Sequence, residues 1–399
     1  MAAHLLSHVA SDLCIGRPRV LALPPSTPVA AALAALRAGA DPFVFVDAEP
    51  ASRGKKTAAA TYVKVSVADI LCYVCGDAGN LSDPAAALGR PVSAVGGGHG
   101  GVARRVDPQT SLLDAIDALL TDGCQALLVP LLQTRGRKRN HHVLPSSDAA
   151  AADCCVLTRE DIVRHLFGSI SHFSPVAALT VDSLGLIRRD VHAVHVDDDG
   201  IDAIPLLQKS ISDGTAVAVV DDEDALVGEI CPGVLASCDV EPVCAAFAAL
   251  SAGDVMTYID CSLSYAPPEF LVRSVRAQLK DRGLDAMAEL MDTWDAASLP
   301  LSPSSSLSSS TSSDEESPLG RAQRPRRMSS GSFGWRSTED VVACHSGSSL
   351  VAVMAQALAH RVGYVWVVDE TSGALVGVVR FADVLAVLRE QIHPQALCR

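Results

Sequence analysis

The sequence predicts a mixed α/β (α+β) fold made of four copies of one unit, helix–strand–turn–strand–helix, with a helical insert and a disordered Ser-rich linker before the last copy. Three observations predict it: a recurring phrase in which a Val-rich strand runs into a helix, a continuous apolar strand upstream of each phrase, and an apolar helix upstream of that strand. The clearest phrase is Gly377-Val-Val-Arg380-Phe-Ala-Asp383-Val-Leu385. Val63-Lys-Val-Ser66-Val-Ala-Asp69-Ile-Leu71 and Cys155-Val-Leu-Thr158-Arg-Glu-Asp161-Ile-Val163 lie over it. A further copy, Gly228-Glu-Ile-Cys231-Pro-Gly-Val234-Leu235, keeps the strand and loses both the hydroxyl and the carboxylate.

The elements follow in the same order each time. The upstream helices are PVAAALAALRAG from Pro28, SLLDAIDALL from Ser111, IDAIPLLQKSI from Ile201 and SLVAVMAQALAH from Ser349. The strands behind them are PFVFVD from Pro42, QALLVP from Gln125, AVAVVD from Ala216 and YVWVVD from Tyr364. Strands this continuously apolar are buried on both faces, which calls for a sheet covered by helices. The copies are expected over residues 10–75, 102–170, 182–236 and 341–392. Insertions after the first strand of copies one and two fall at one hairpin position, which suits surface loops. Residues 237–297 carry apolar positions at three-to-four spacing and predict two helices packed on the repeats. Residues 298–340, rich in Ser and Pro, cannot bury enough apolar surface to offset the entropy of ordering and are expected to be disordered. Within them Arg326 and Arg327 precede Ser329 and Ser330 at the spacing basophilic kinases read, which marks those serines as phosphorylation candidates.

Composition narrows the function. The chain has 399 residues, enough for a sizeable core, and a net charge of −14. That charge argues against general nucleic-acid binding or docking on anionic membranes, both of which need positive fields. No apolar run approaches the ~18 residues of a membrane span, and the opening residues lack a secretory pattern. The twelve cysteines sit in Ala- and Val-rich stretches and read as small buried hydrophobes in a reducing compartment, so a cytoplasmic place is expected. Cys72 and Cys75 form a CxxC inside an apolar helix with no second pair, so no metal site is expected. The basic stretch Arg135–His142 reads as a solvated hairpin loop, with a nuclear-import or acidic-partner patch as the alternative, which adds nuclear access to the expected cytoplasmic place. Val95–Gly101 is Gly-rich but lacks a phosphate-loop pattern, and nothing else points to catalysis.

Ser66-x-x-Asp69 and Thr158-x-x-Asp161 stand where a strand becomes a helix. A hydroxyl at the N-cap and an acid three residues on satisfy the first amides of the helix and complement its dipole. The same pair, held at the carboxyl end of a strand, suits the two hydroxyls of a ribose. The residues leave both readings open.

The repeated unit, with VWVVDETSGALVGVVRFADVL as its clearest copy, resembles the CBS domain. The four-copy plan resembles the gamma regulatory subunits of AMP-activated and sucrose-nonfermenting-type protein kinases, and the plant four-repeat CBS-domain proteins. The resemblance implies two Bateman modules, each of two repeats, that need no cofactor and are not enzymes. It implies regulatory binding of AMP, ADP, ATP or S-adenosylmethionine, with the hydroxyl and acid on the ribose and basic side chains on the phosphates. Carried over, Ser66, Asp69, Thr158, Asp161 and Asp383 are the ribose candidates. Arg104, Arg105, Arg188, Arg189, Arg361 and Arg380 are the phosphate candidates. The basic pair that gamma subunits carry before the last repeat's first strand is here Gly363-Tyr364, and Arg380 replaces the hydroxyl partner of Asp383, so the pattern points to the N-terminal module. The expected partners are the catalytic or scaffold subunits of a protein kinase. A ligand-free interaction scaffold is the alternative.

Overall fold

A computed structural model describes residues 7–39, 41–47, 61–95, 101–121, 124–131, 154–264, 267–298 and 341–392. The phosphorylation candidates Ser329 and Ser330, the basic stretch Arg135–His142 and nearly all of the Ser-rich linker lie outside the described residues.

Each repeat begins with a short strand, crosses through a helix, and ends in a hairpin whose second strand enters a second helix. Repeat one comprises β1 (Ala22–Leu23), α1 (Val29–Ala38), β2 (Phe43–Asp47), β3 (Thr61–Ser66) and α2 (Val67–Cys75). Repeat two comprises β4 (Val102–Arg105), α3 (Leu112–Leu120), β5 (Cys124–Pro130), β6 (Cys154–Thr158) and α4 (Arg159–Phe167). Repeat three comprises β7 (Ala193–His195), α5 (Ala203–Asp213), β8 (Val217–Val220), β9 (Leu226–Ile230) and the single turn α6 (Pro232–Leu235). After it come α7 (Val240–Ala249), α8 (Ala252–Ser264), α9 (Glu269–Asp281) and α10 (Asp285–Ser298). Repeat four comprises β10 (Ala343–Cys344), α11 (Leu350–His360), β11 (Tyr364–Val368), β12 (Leu375–Arg380) and α12 (Phe381–Ile392).

Registers repeat with the units. Phe43 pairs Ser66, Ala126 pairs Thr158, and Tyr364 pairs Arg380, so in these three repeats the residue that enters the second helix faces the first residue of its hairpin or the one two positions inside it. In the first half β3 pairs antiparallel with β4, fusing two repeats into one six-stranded sheet. In the second half two three-stranded sheets meet through the bridges Arg188–Val378 and Ala225–Ala374.

The segments leading into the repeats are exchanged within each half. Ala10 N–H donates to Thr110 O at 2.8 Å and Leu112 N–H to His8 O at 3.1 Å. The counterparts in the second half are Val181 N–H to Ser348 O and Leu350 N–H to Leu179 O, both at 2.9 Å. In the other direction, Val29 N–H reaches Arg90 O and Gly200 N–H reaches Leu250 O, each at 2.8 Å. Gly200 is required there, because a Cβ would stand 2.8 Å from Leu250 O and 2.7 Å from Val255 Cγ2. Residues 10–17, read from sequence as the opening of repeat one, therefore dock on repeat two: Ala10 and Cys14 are buried in its core.

The large cores run crosswise to the sheets. α2 packs on α5 and α7, joining repeats one and three and the insert; α12 packs on α3 and α4, and α11 on α4, joining repeats two and four. Strands thus join repeats 1–2 and 3–4, while helices join 1–3 and 2–4.

Two expectations need correction. Among its described residues the insert has four helices rather than two. Ser251 Oγ accepts the Asp254 N–H at 3.3 Å and restarts the chain as α8, and Gly283, at φ +69°, separates α9 from α10. The cysteines are not all thiols: Cys14 and Cys155 form a disulfide, because the lead-in exchange sets residue 14 against β6. Cys72 and Cys75 are buried core residues of α2, as their apolar surroundings suggested.

The crosswise core has a direct consequence for α7. Phe247 is completely buried there, so Phe247→Ala should cost about 3–5 kcal/mol, read as a lower urea midpoint with unchanged slope.

Candidate functional site

The hydroxyl–carboxylate pairs form complete capping boxes. β3 ends in extended backbone at Ser66, and α2 starts on the next residue. Ser66 N–H and Ser66 Oγ donate to Asp69 Oδ2 at 2.7 and 2.5 Å, while Asp69 N–H donates back to Ser66 Oγ at 3.3 Å. Thr158 does the same at the start of α4: its N–H and Oγ1 donate to Asp161 Oδ2 at 2.8 and 2.7 Å, and Asp161 N–H returns to Oγ1 at 3.4 Å. In repeat three Cys231 makes no side-chain cap, and Pro232 at the first helical position replaces an amide that would need one.

Burial pushes the Asp69 carboxyl above the usual carboxylate range, against the hydrogen bonds from Ser66 and the charge of Lys64. Burial likewise lowers the Lys64 ammonium, opposed by Asp69. The Lys64 Nζ stands 5.1 Å from the centre of the Phe43 ring, a cation–π contact.

The other two carboxylates are held by arginines from distant segments. Asp161 Oδ1 accepts Arg17 Nη2 at 2.5 Å; Arg17 Nε also donates to Leu13 O at 3.0 Å. Asp383 Oδ1 accepts Arg188 Nη2 at 2.6 Å and Nε at 3.1 Å, and Asp383 Oδ2 accepts Arg380 Nε at 2.9 Å. The two clamps are structurally equivalent. Val9 bridges Ser111 and Thr180 bridges Ser349, and in each case the clamping arginine follows eight residues later. Arg188 and Arg380, read from sequence as phosphate contacts, lie on the two oxygens of Asp383, where the lead-in exchange and the (i, i+3) spacing place them. Burial raises the Asp383 carboxyl, but the Arg380 and Arg188 hydrogen bonds outweigh it and hold the group below its usual range.

A cleft of about 1350 Å³ lies where all four repeats converge. Thr158 and Asp161 open onto it; Ser66 and Asp69 are not among its lining residues, although Lys64 is. Arg17, Arg159, Arg164 and Arg361 add positive charge to its walls, and Asp41, Glu160 and Asp213 add negative charge. Arg361 reaches this wall through a left-handed turn that ends α11. Arg159 is pinned by Leu119 O at 3.1 Å and Cys124 O at 2.7 Å. Asp213 accepts His192 Nε2 at 2.8 Å, which depresses its carboxyl, and lies 3.5 Å from Arg380. Arg104 and Arg105, half-buried in β4, and the exposed Arg189 are not among the lining residues.

The second half carries different side chains at the equivalent strand positions. Glu229 lies two residues before Cys231 as Lys64 lies two before Ser66, and it accepts Tyr364 Oη at 2.9 Å and Trp366 Nε1 at 2.6 Å. Tyr364 and Trp366 stack edge to face at 5.5 Å. Sequence reasoning missed Arg17, Lys64 and Glu229. A charge inside an otherwise apolar strand was the signal for Lys64 and Glu229, whereas Arg17 gave none. Among the described residues no group of three or more His, Cys, Asp or Glu is placed to hold a metal, and no helix is long and apolar enough to cross a membrane.

Four α/β units, paired through strands into two modules around a common cleft with capped carboxylates at the strand ends, define a Bateman-type fold. The chain belongs to the CBS domain-containing proteins, and the CBS domain family matches residues 336–390. It is 37% identical over 403 residues to CBS domain-containing protein CBSX5 of Arabidopsis thaliana, covering 98% of each chain. It is 27% identical over 336 residues to CBSX6 of the same plant, covering 75% of this chain and 73% of the other. Among solved structures, a Methanocaldococcus jannaschii protein described as a proposed archaeal homologue of g-AMPK aligns with TM-score 0.50 at 13% identity, over 96% of this chain and all of that one. That likeness is one of fold.

The depressed Asp383 sets a pH dependence. The stabilisation of its ion pairs is complete above the ordinary carboxylate range and is lost as pH falls through the lowered value. Asp383→Asn should cost roughly 1–2 kcal/mol at neutral pH, discounted for the exposure of Arg188. The difference from wild type should close as pH falls below about 4 in thermal melts.

Proposed function

We propose that the chain is a non-catalytic regulatory protein whose N-terminal module senses an adenosine nucleotide. The observation that carries this reading is the Thr158–Asp161 pair, which opens onto the four-repeat cleft with several cationic side chains in its walls. A ribose would exchange its two hydroxyls with that pair, the purine would lie against apolar strand residues, and the phosphates would face the cations. The candidates are AMP, ADP, ATP and S-adenosylmethionine, and no resident cofactor is needed. A ligand in the cleft would contact all four repeats, so its differential affinity for their packings would be the signal. Membership of the CBS family and a fold like that of a proposed g-AMPK homologue support a protein kinase subunit as the partner. A cytoplasmic place with nuclear access belongs to the same reading.

A second reading has its own observation. In the second module Glu229 accepts hydrogen bonds from Tyr364 and Trp366, and arginines occupy Asp383. That module is an interaction scaffold that needs no ligand.

Calorimetry with the four ligands separates these readings. Wild type should bind at least one of them, and Asp161→Ala should weaken that binding by tenfold or more, with a stability cost that adds the loss of the Arg17 ion pair to the ~1 kcal/mol of the lost cap. Silence from every ligand at millimolar concentration, with the variants folded, would leave the whole chain a scaffold.

A further inference from the structure

We infer that the Cys14–Cys155 disulfide is a reversible redox-modification site for a dithiol reductant, and that opening it releases the lead-in segment and with it one wall of the cleft. It stands apart from the nucleotide reading, because it concerns what holds the cleft wall rather than what the cleft holds.

Cys14 ends the short turn Ala10–Cys14, and Cys155 lies in β6, three residues before Thr158. The bond joins residues 141 apart in sequence and ties the lead-in of repeat one covalently to repeat two. The segment is also held by reversible contacts: Ala10 N–H to Thr110 O at 2.8 Å, Ser11 N–H to Pro108 O at 3.0 Å, and the Arg17–Asp161 ion pair. Immediately after Cys14 the chain leaves the core. Ile15 is 83% exposed, Gly16 turns at φ +79°, and Gly16, Arg17 and Pro18 then form part of the cleft wall. The bond therefore anchors a stretch that would otherwise lift by local opening.

The second half shows that the exchange of lead-in segments does not need this bond. Gly185 follows Thr180 by five residues as Cys14 follows Val9, and Gly377 precedes Arg380 by three as Cys155 precedes Thr158. A Cβ on Gly377 would stand 2.5 Å from Arg188 O, so that position has no room for a thiol. Val181 N–H still reaches Ser348 O there, and Arg188 still holds Asp383. The frame closes without a disulfide, and the first half adds one to it. All other cysteines among the described residues are thiols. In the reducing compartment that such thiols suit, a disulfide is typically transient or redox-sensing.

Cys14 is 5% exposed and Cys155 fully buried, so exchange proceeds from the opened lead-in, and Cys14, beside the surface turn, is the sulfur attacked. A thiolate of the dithiol bonds to Cys14 Sγ, the S–S bond breaks, and Cys155 leaves as a thiolate that takes up a proton. The second thiol of the reductant then displaces Cys14, which leaves with the proton that this thiol gives up. The chain gains two electrons and two protons, and the reductant becomes a disulfide. Cys154, the neighbouring thiol, packs in a different core on the opposite face of the sheet and does not compete for the bond.

The test is amide hydrogen exchange of the full chain, oxidised and after reduction with dithiothreitol, with alkylation and mass analysis to follow the thiols. In the oxidised chain Cys14 and Cys155 should resist alkylation, dithiothreitol should free both, and oxidised dithiothreitol should restore the bond. On reduction, exchange over residues 8–20 should quicken by about tenfold or more, while residues 179–191, the equivalent stretch of the second half, should not change. Cys14→Ser should exchange at the reduced rate with or without dithiothreitol, and Cys155→Ala serves if that variant fails to fold. Exchange over residues 8–20 that stays within about twofold on reduction makes the bond a passive staple and overturns the inference. So does faster exchange throughout both halves, which would make the bond a requirement of the fold. Thiols at Cys14 and Cys155 after treatment with oxidised dithiothreitol also overturn it. None of these outcomes bears on nucleotide binding, which calorimetry reads separately.

Discussion

A helix that begins on the residue after a buried strand has no water to satisfy its first amides, and this constraint organises the molecule. The chain answers it with a hydroxyl and an acid three residues on, and the acid is thereby drawn into the interior with its charge. A carboxylate in that position needs a cation. In repeat one Lys64 on the neighbouring strand supplies the charge. In repeats two and four it comes from Arg17 and Arg188, carried in by segments that belong by sequence to the repeat before. Repeat three removes the acid, and its helix shrinks to one turn behind Pro232.

The exchange of lead-in segments explains why the repeats come in pairs. Each contributes a stretch of backbone that completes its neighbour, through matching hydrogen bonds in the two halves. Neither member of a pair closes its own core. The crosswise helix contacts then bind one pair to the other, and the cleft lies where residues of all four repeats meet. Residues of every repeat line it.

The two halves have diverged by a few side chains on a common frame. Lys64 and Glu229 occupy one position with opposite charge. The first stands over a phenyl ring at the edge of a large cleft; the second is sealed by the hydrogen bonds of a tyrosine and a tryptophan. Thr158 and Arg380 occupy another position, and there a donor of one hydrogen bond has become a second clamp. Polar groups buried with complete partners hold one geometry firmly.

The unit, its order, its count and the capping boxes were legible in the sequence, because each depends on residues a few positions apart: the apolar period, the turn, the hydroxyl and the acid at N3. Four helices in the insert were less legible than two, since a serine cap and one left-handed glycine interrupt an unbroken apolar period. Tertiary structure alone decided what faces each carboxylate. Arg17 and Asp161, or Arg188 and Asp383, are far apart in the chain and meet only because the lead-in segments cross to the neighbouring repeat. The same crossing joins Cys14 to Cys155, which composition alone had read as thiols. Short-range pattern fixes where a charge is buried; only the crossing of distant segments fixes which charge answers it.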